Sequence, residues 1–146
     1  MNIRTLQQGL KYRGRVVAVR QTYHVFEAKD YFVILSFARS KDRKGSGYFN
    51  VVDQTAVRYV QAALGGRTGV TAKDVVSAAR RTRHVPTSLT ALNILYVLVA
   101  LAQATILRTG QRRQLFFLLR KIFLLHTSSM AEACSVHPDS SIVSAK

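Results

Sequence analysis

The run Thr87–Leu107 contains no charged residue and constrains the fold more strongly than any other part of the sequence. An apolar stripe recurs at spacings of three and four, as on one face of a helix, and consists of Leu89, Leu92, Leu95, Tyr96 and Val99. A membrane-spanning helix needs about 20 predominantly apolar residues. The longest unbroken apolar stretch here is only Ile94–Ala102, and a basic pair interrupts the next one, Leu115–Leu125. The sequence therefore predicts a buried helix over residues 87–103 and disfavours the alternative of a membrane-associated protein.

Two further helices are predicted before this one, because capping residues and apolar spacing coincide twice. Asp53 is a good N-cap for a helix whose apolar residues recur until a Gly-Gly pair ends the run. Thr71–Thr82 forms the second predicted helix, which starts at a capping threonine and ends in arginines that suit the helix dipole. Pro86 favours the start of the third helix, with Thr87 or Ser88 as its cap.

Strand signals flank the helical region on both sides. Residues 15–28 and 31–40 are rich in Val, Ile, Tyr and Phe, and residues 47–52 form a third short segment of this kind. The polar, turn-rich connections between them predict an antiparallel meander of three strands. After the third helix, the segments ATILRT and QLFFLLR surround a basic turn and predict a β-hairpin.

The predicted fold class is therefore α+β, with a small N-terminal antiparallel β-meander followed by three helices and a β-hairpin. A chain of 146 residues can form one domain with a real core, or two small units side by side. We expect an N-terminal β-rich element over residues 1–52, a helical domain with its hairpin over residues 53–125, and a disordered tail over residues 126–146.

The charge of the chain is strongly positive, with 22 Lys and Arg residues against seven Asp and Glu residues and a formal net charge of +15. Such a surface repels itself unless a polyanion offsets it, so nucleic acid is the expected partner. The single cysteine excludes an internal disulfide framework, and no Cys or His group has metal-ligand spacing. The first residues also contain no apolar stretch typical of a secretory signal. We expect an intracellular, cytoplasmic protein that needs no cofactor.

Residues 53–121 resemble the winged helix-turn-helix family in the order of their predicted elements and in the pattern TAKDVVSAARR…VPTSLTALNILYVLVALAQATIL. The resemblance implies that Thr71–Thr82 is the positioning helix, that the helix opening at Thr87 is the recognition helix, and that residues 110–114 are the tip of the wing. In that family the recognition helix lies in the major groove and the wing touches the backbone. It implies a DNA-binding protein, not an enzyme, acting as a small transcription regulator or architectural factor on duplex DNA.

Two sets of contact residues follow from this resemblance and from the basic clusters. The predicted base-facing residues lie in the first turns of the recognition helix: Thr87, Ser88, Thr90, Ala91 and Asn93. Asn can address adenine, and Thr or Ala can contact the methyl group of thymine. The predicted phosphate contacts flank this helix, lie on the hairpin, or lie between the second and third strands: Arg80, Arg81, Arg83, His84, Arg108, Arg112, Arg113, Arg39, Lys41, Arg43 and Lys44.

The second half of the recognition helix departs from the family pattern, because Ile94, Val97 and Leu101 lie opposite its apolar stripe. A recognition helix normally keeps a polar outer face, so this half is expected to be buried on both sides. Either the N-terminal sheet or a second copy of the protein covers the outer face. The second arrangement would make a homodimer.

Three alternatives remain open at this point. An RNA-binding or nucleoprotein-assembly subunit would show the same excess of basic residues. Glu27-x-Lys29 is similar to half of a nuclease metal site, but residues 1–26 contain no carboxylate to complete a metal-dependent nuclease. Strand aromatics such as Tyr48 and Phe49 would suit stacking with single-stranded nucleic acid, although aromatic residues in strands more often belong to a core.

Overall fold

The computed structural model describes residues 9–18, 21–38, 47–80, 85, 87–107 and 114–121, and these form an α+β fold. The strands are β1 (Lys11–Val17), β2 (Gln21–Glu27), β3 (Tyr31–Ala38), β4 (Gly47–Asp53), β5 (Ala104–Leu107) and β6 (Phe116–Leu119). The helices are α1 (Gln54–Leu64), α2 (Ala72–Ala78) and α3 (Ser88–Ala100). This order confirms the predicted fold class. The predicted tail over residues 126–146 lies outside the described residues.

The N-terminal meander has four strands rather than the predicted three. Its sheet is antiparallel with the order β1-β2-β3-β4. The segment predicted as one strand over residues 15–28 is divided between β1 and β2, and the Ala18 N–H donates to the Gln21 carbonyl at 3.0 Å where they connect. That segment contains no Gly, Pro, Asn or Asp, the residues that usually mark a turn, so its reversal was not visible in the sequence.

The register divides this sheet into two faces. Val25 pairs with Ile34, and Phe32 pairs with Val52. These four side chains, together with Val16, are buried in the main hydrophobic core and define the inner sheet face. Because successive side chains of a strand point to opposite faces, their sequence neighbours lie on the other side of the sheet.

The caps predicted from the sequence start α1, α2 and α3. Asp53 caps α1, Thr71 caps α2 in a capping box with Asp74, and Thr87 caps α3. Each cap gives a hydrogen-bond acceptor to a backbone N–H that has no partner within the helix, and losing one costs about 1 kcal/mol. The starts of the helices are therefore a local property of the sequence.

Two helices end earlier than predicted. The second helix, α2, ends at Ala78 instead of Thr82, and the third, α3, ends at Ala100 rather than at residue 103. After α3, Ala102 takes a left-handed conformation with φ of 58°, and the Gln103 N–H donates to the Leu98 carbonyl at 2.8 Å. Glycine usually occupies such a position, so an alanine there gave no sign of the helix end. Within the described ranges, no helix combines the length and the apolar character needed to cross a membrane.

The central element of the fold is α3. It contacts all four strands of the meander as well as α1, α2 and β5. Tyr96 stacks on Tyr23 of the sheet, with ring centroids 4.2 Å apart, and meets Phe117 of β6 edge-on at 6.2 Å. Burial, with a further contribution from Tyr23, raises the pKa of Tyr96 above its ordinary value, so this phenol is neutral. The sheet and the hairpin thus pack on one helix.

The apolar outer face of α3 is buried within the chain itself. Ile94 and Val97 are fully buried, and Leu101 packs against the same core. At the end of the helix β1 passes so closely that a Cβ atom on Gly14 would lie 3.3 Å from the Ala100 carbonyl oxygen. Ile94 and Val97 are therefore buried without a second copy of the chain, and the homodimer stays a prediction. One hydrophobic core contains residues of both the sheet and the helices.

The C-terminal hairpin is attached to the connection between α1 and α2. The two predicted segments form a β-hairpin, in which Ala104 pairs with Leu119 and Leu107 with Phe116. Val70 exchanges two backbone hydrogen bonds of 2.9 Å with Phe117, which adds a third short segment beside β6. The hairpin is therefore held next to the start of α2. The predicted tip of the wing lies almost entirely outside the described residues, which resume at residue 114.

Candidate nucleic-acid interface

The N-terminal turn of α3 is the part of this helix that faces solvent. Thr87, Ser88 and Leu89 are exposed, and Thr90 is half-buried. The Thr87 hydroxyl accepts from the Thr90 backbone N–H at 3.1 Å and lies 3.0 Å from the Thr90 hydroxyl. Because these two hydroxyls stabilise the helix start, the side chains most available to a ligand are those of Ser88 and Leu89.

Two predicted base-facing residues do not reach the surface. Ala91 is 0% exposed and Asn93 is 4% exposed, so the prediction is wrong for both. From its second turn onward α3 contacts the sheet, α1, α2 and β5, and each of its residues there is buried or partly buried. Leu89, by contrast, is 61% exposed although its spacing assigned it to the apolar stripe. The predicted base-facing residues that remain are Thr87, Ser88 and Thr90, in the first turn of α3.

Arg80 is the one predicted phosphate contact among the described residues, and it is exposed just after α2. The other ten lie outside the described residues: Arg81, Arg83, His84, Arg108, Arg112, Arg113, Arg39, Lys41, Arg43 and Lys44. The bounds of the elements still show where their segments attach. Residues 79–87 connect α2 to α3, residues 108–115 connect β5 to β6, and residues 39–46 connect β3 to β4.

The tertiary structure also brings together basic residues that the sequence analysis did not assign to a site. Arg67 follows α1, whereas Arg120 and Lys121 follow β6, and all three are exposed. The backbone joins the two segments, because the Gly66 N–H donates to the Leu119 carbonyl at 2.9 Å and the Leu119 N–H donates to the Arg67 carbonyl at 3.0 Å. Only long-range pairing produces this cluster, so no local pattern could have indicated it.

Asp74 is an acidic side chain close to this cluster, and it forms part of the cap of α2. Its carboxylate accepts hydrogen bonds from the Thr71 hydroxyl at 2.6 Å and from the Thr71 backbone N–H at 2.8 Å. These hydrogen bonds, followed by the positive charge of Arg67, hold the pKa of Asp74 below its ordinary value. The ionised carboxylate is therefore part of the helix cap.

Glu27, which the nuclease alternative requires as a metal ligand, has partners within the chain. It accepts hydrogen bonds from the Arg13 guanidinium and, at 3.2 Å, from the Gln54 side chain, which links β1, β2 and α1. These three residues border a cleft of about 540 Å³ between the sheet and α1. In the part of the chain that the structure describes, no group of three or more His, Cys, Asp or Glu side chains could hold a metal ion.

The geometry thus presents a capped, exposed helix start on a helix that is otherwise buried or partly buried, with Arg80 exposed just after the preceding helix. No protein-family model, curated protein or solved structure matches this chain.

Proposed function

We propose that this protein binds duplex DNA, as a small transcription regulator or architectural factor, with the first turn of α3 in the major groove. The observation that carries the proposal is the exposed helix start Thr87–Leu89 on a helix whose later residues are buried or partly buried. The order of α1, α2, α3 and the β5–β6 hairpin agrees with the resemblance to the winged helix-turn-helix family. A formal charge of +15 supplies a general affinity for phosphates.

The chemistry of the first turn suits a small contact with base edges. The Ser88 hydroxyl can both donate and accept a hydrogen bond, and the Leu89 side chain can contact the methyl group of thymine. One helical turn rises about 5.4 Å, and base pairs are stacked about 3.4 Å apart, so this turn reaches only about two of them. Most of the affinity therefore comes from phosphate contacts, and we expect modest sequence specificity with a steep dependence on salt.

Ser88→Glu tests the helix start. A carboxylate in the first turn of a helix interacts favourably with the helix dipole, so the fold should be unaffected, whereas the new charge repels the phosphates of a bound duplex. We expect the affinity for duplex DNA, measured by fluorescence anisotropy, to fall at least about tenfold, a change of about 1.4 kcal/mol. Thr55→Glu places the same charge in the first turn of α1 and is the matched control. Equal losses in the two variants would contradict an interface on α3.

Arg112→Gln combined with Arg113→Gln tests the wing. The logarithm of the binding constant falls with the logarithm of the salt concentration by about 0.9 for each phosphate that is neutralised. We expect the double variant to reduce this slope by about 2 and to weaken binding to all duplex sequences alike. Arg58→Gln combined with Lys29→Gln removes the same charge from exposed positions outside the predicted interface. An unchanged slope would contradict the wing, and tighter binding to structured RNA than to duplex DNA would favour the nucleoprotein-assembly alternative.

A further inference from the structure

The face of the sheet that turns away from α3 exposes large apolar side chains. Tyr12 is 52% exposed, Phe37 49%, Phe49 58% and Val51 51%. We call this surface the outer sheet face and define it by six residues: Tyr12, Arg15, His24, Phe37, Phe49 and Val51. Soluble proteins rarely leave a contiguous apolar surface of this kind unless it binds something.

The strand register shows that these residues share one face. Arg15 pairs with His24, His24 pairs with Leu35, and Leu35 pairs with Phe49, so a single row of side chains crosses all four strands. Tyr48, next to Phe49, pairs instead with Ser36, which is buried on the opposite face. Adjacent aromatic residues of β4 thus point to different sides of the sheet.

The aromatic rings of the outer sheet face form a connected series. The ring of Tyr12 lies 5.2 Å from that of Phe26 and 6.1 Å from that of His24, and His24 meets Phe37 edge-on at 5.7 Å. Phe49 extends the aromatic surface to the edge strand β4. Aromatic side chains on a four-stranded sheet can stack two or three unpaired bases, because every base has a π-face.

The charge around this face favours a polyanion over a second copy of the chain. Arg15 supplies a positive charge, because it is exposed in the row of side chains that crosses all four strands. Asp53, the acidic residue at the end of β4, caps α1 with its carboxylate. The chain that joins β3 to β4, at the end of the sheet where Phe37 pairs with Gly47, contains four basic residues and one acidic residue. Two copies would also bring together two formal charges of +15, whereas a nucleic acid neutralises them.

We propose that the outer sheet face binds single-stranded nucleic acid, with bases stacked on Tyr12, Phe37 and Phe49 and a phosphate at Arg15. The surface is independent of the duplex site at α3, because the two lie on different elements and α3 packs on the opposite face of the sheet. Single-stranded DNA and single-stranded RNA both offer unpaired bases and phosphates to this face. Comparing oligothymidylate with oligouridylate shows which of the two nucleic acids binds more tightly.

The first experiment measures the binding of these labelled oligonucleotides to the full chain by fluorescence anisotropy. Replacing Tyr12, Phe37 or Phe49 by Ala should each weaken binding at least about fivefold, since removing a stacked ring typically costs this much or more. Tyr48→Ala is the matched control, because Tyr48 is 62% exposed but lies on the other face. Affinities that are unaffected by the three substitutions, or equally affected by Tyr48→Ala, would overturn the proposal.

A second experiment reads stacking directly. The chain contains no tryptophan, so Phe49→Trp introduces the only indole and keeps an aromatic ring in place. We expect oligothymidylate or oligouridylate to quench its fluorescence, while the matched variant Tyr48→Trp shows no change. Quenching of both indoles, or of neither, would refute stacking on this face.

Phe49→Leu separates nucleic-acid binding from self-association, because leucine retains the apolar surface but removes the ring. We expect this variant to lose affinity for single strands and to sediment as the parent protein does. Ser88→Glu should leave single-strand binding intact while it weakens duplex binding, so the two proposals fail separately. A parent protein that binds no single strand and forms a dimer that Phe49→Glu dissociates would show that a second copy occupies this face.

Discussion

Val52 and Val51 are adjacent residues of β4 that test whether the sheet and the helices form one cooperative unit. Val52 is 2% exposed on the inner sheet face and belongs to the core around α3, whereas Val51 is 51% exposed on the outer sheet face. Val52→Ala removes two methyl-sized groups at about 0.8 kcal/mol each, and the residual cavity adds up to about 1 kcal/mol. The free energy of unfolding should therefore fall by about 2–3 kcal/mol, or about 4–12 °C in Tm.

Val51→Ala makes the same chemical change on the same strand. It removes groups that are already half in water and leaves no cavity, so we expect a loss of about 0.8 kcal/mol or less. The lower strand propensity of alanine affects both variants in a similar way, so most of the difference between them reflects the core.

Thermal unfolding should be followed by far-UV circular dichroism for the helices and by near-UV circular dichroism for the Tyr23–Tyr96 pair. If the core is shared, Val52→Ala shifts both signals together, because the helices lose the surface that buries α3. The reasoning is refuted if the helical signal of Val52→Ala melts at the parent temperature, or if the two valine variants are equally destabilised.

Two further predictions concern the backbone and the caps. Gly14→Ala should destabilise the protein more than Gly69→Ala, by about 1–3 kcal/mol in chemical denaturation, because both glycines have positive φ but only at Gly14 does a Cβ approach the Ala100 carbonyl. Equal losses would contradict the close approach of β1 to α3. Asp74, whose pKa is lowered in the folded state, stabilises the protein above its unfolded pKa near 3.8, and this stabilisation is lost as the pH falls through the lower folded pKa. Asp74→Asn should flatten the acid limb of a stability–pH curve, and an unchanged limb would contradict the capping box.

The parts of this fold that could be predicted from the sequence are those with local causes. Asp53, Thr71 and Thr87 start their helices because each side chain can accept a hydrogen bond from a backbone N–H two or three residues later. The two short β segments after α3 were predicted from their composition and pair as expected. The reversal between β1 and β2 was missed because no typical turn-forming residue marks it in the sequence, and the end of α3 was missed because Ala102, rather than a glycine, has the positive φ there.

The candidate site was predictable only in part, for the same reason. Sequence chemistry made Asn93 suitable for adenine and spacing placed Leu89 in the apolar stripe, yet Asn93 is buried and Leu89 is exposed. The exposure of a helical residue depends on every element packed around the helix, and α3 has neighbours on both sides. The outer sheet face could not be predicted from the sequence either, because the strand register decides which aromatic side chains face the core and which face solvent.

The sequence by itself determined the types of element, their caps and the excess of positive charge, because these depend on side-chain chemistry and short-range hydrogen bonds. Only the tertiary structure decided what covers Ile94 and Val97, where the hairpin attaches through Val70, and which aromatic residues remain exposed. Those outcomes depend on contacts between residues far apart in the chain. The burial of the apolar surface of α3 drives the formation of these contacts. The sequence alone left open whether the N-terminal sheet of the same chain or a second copy of the protein would cover that surface.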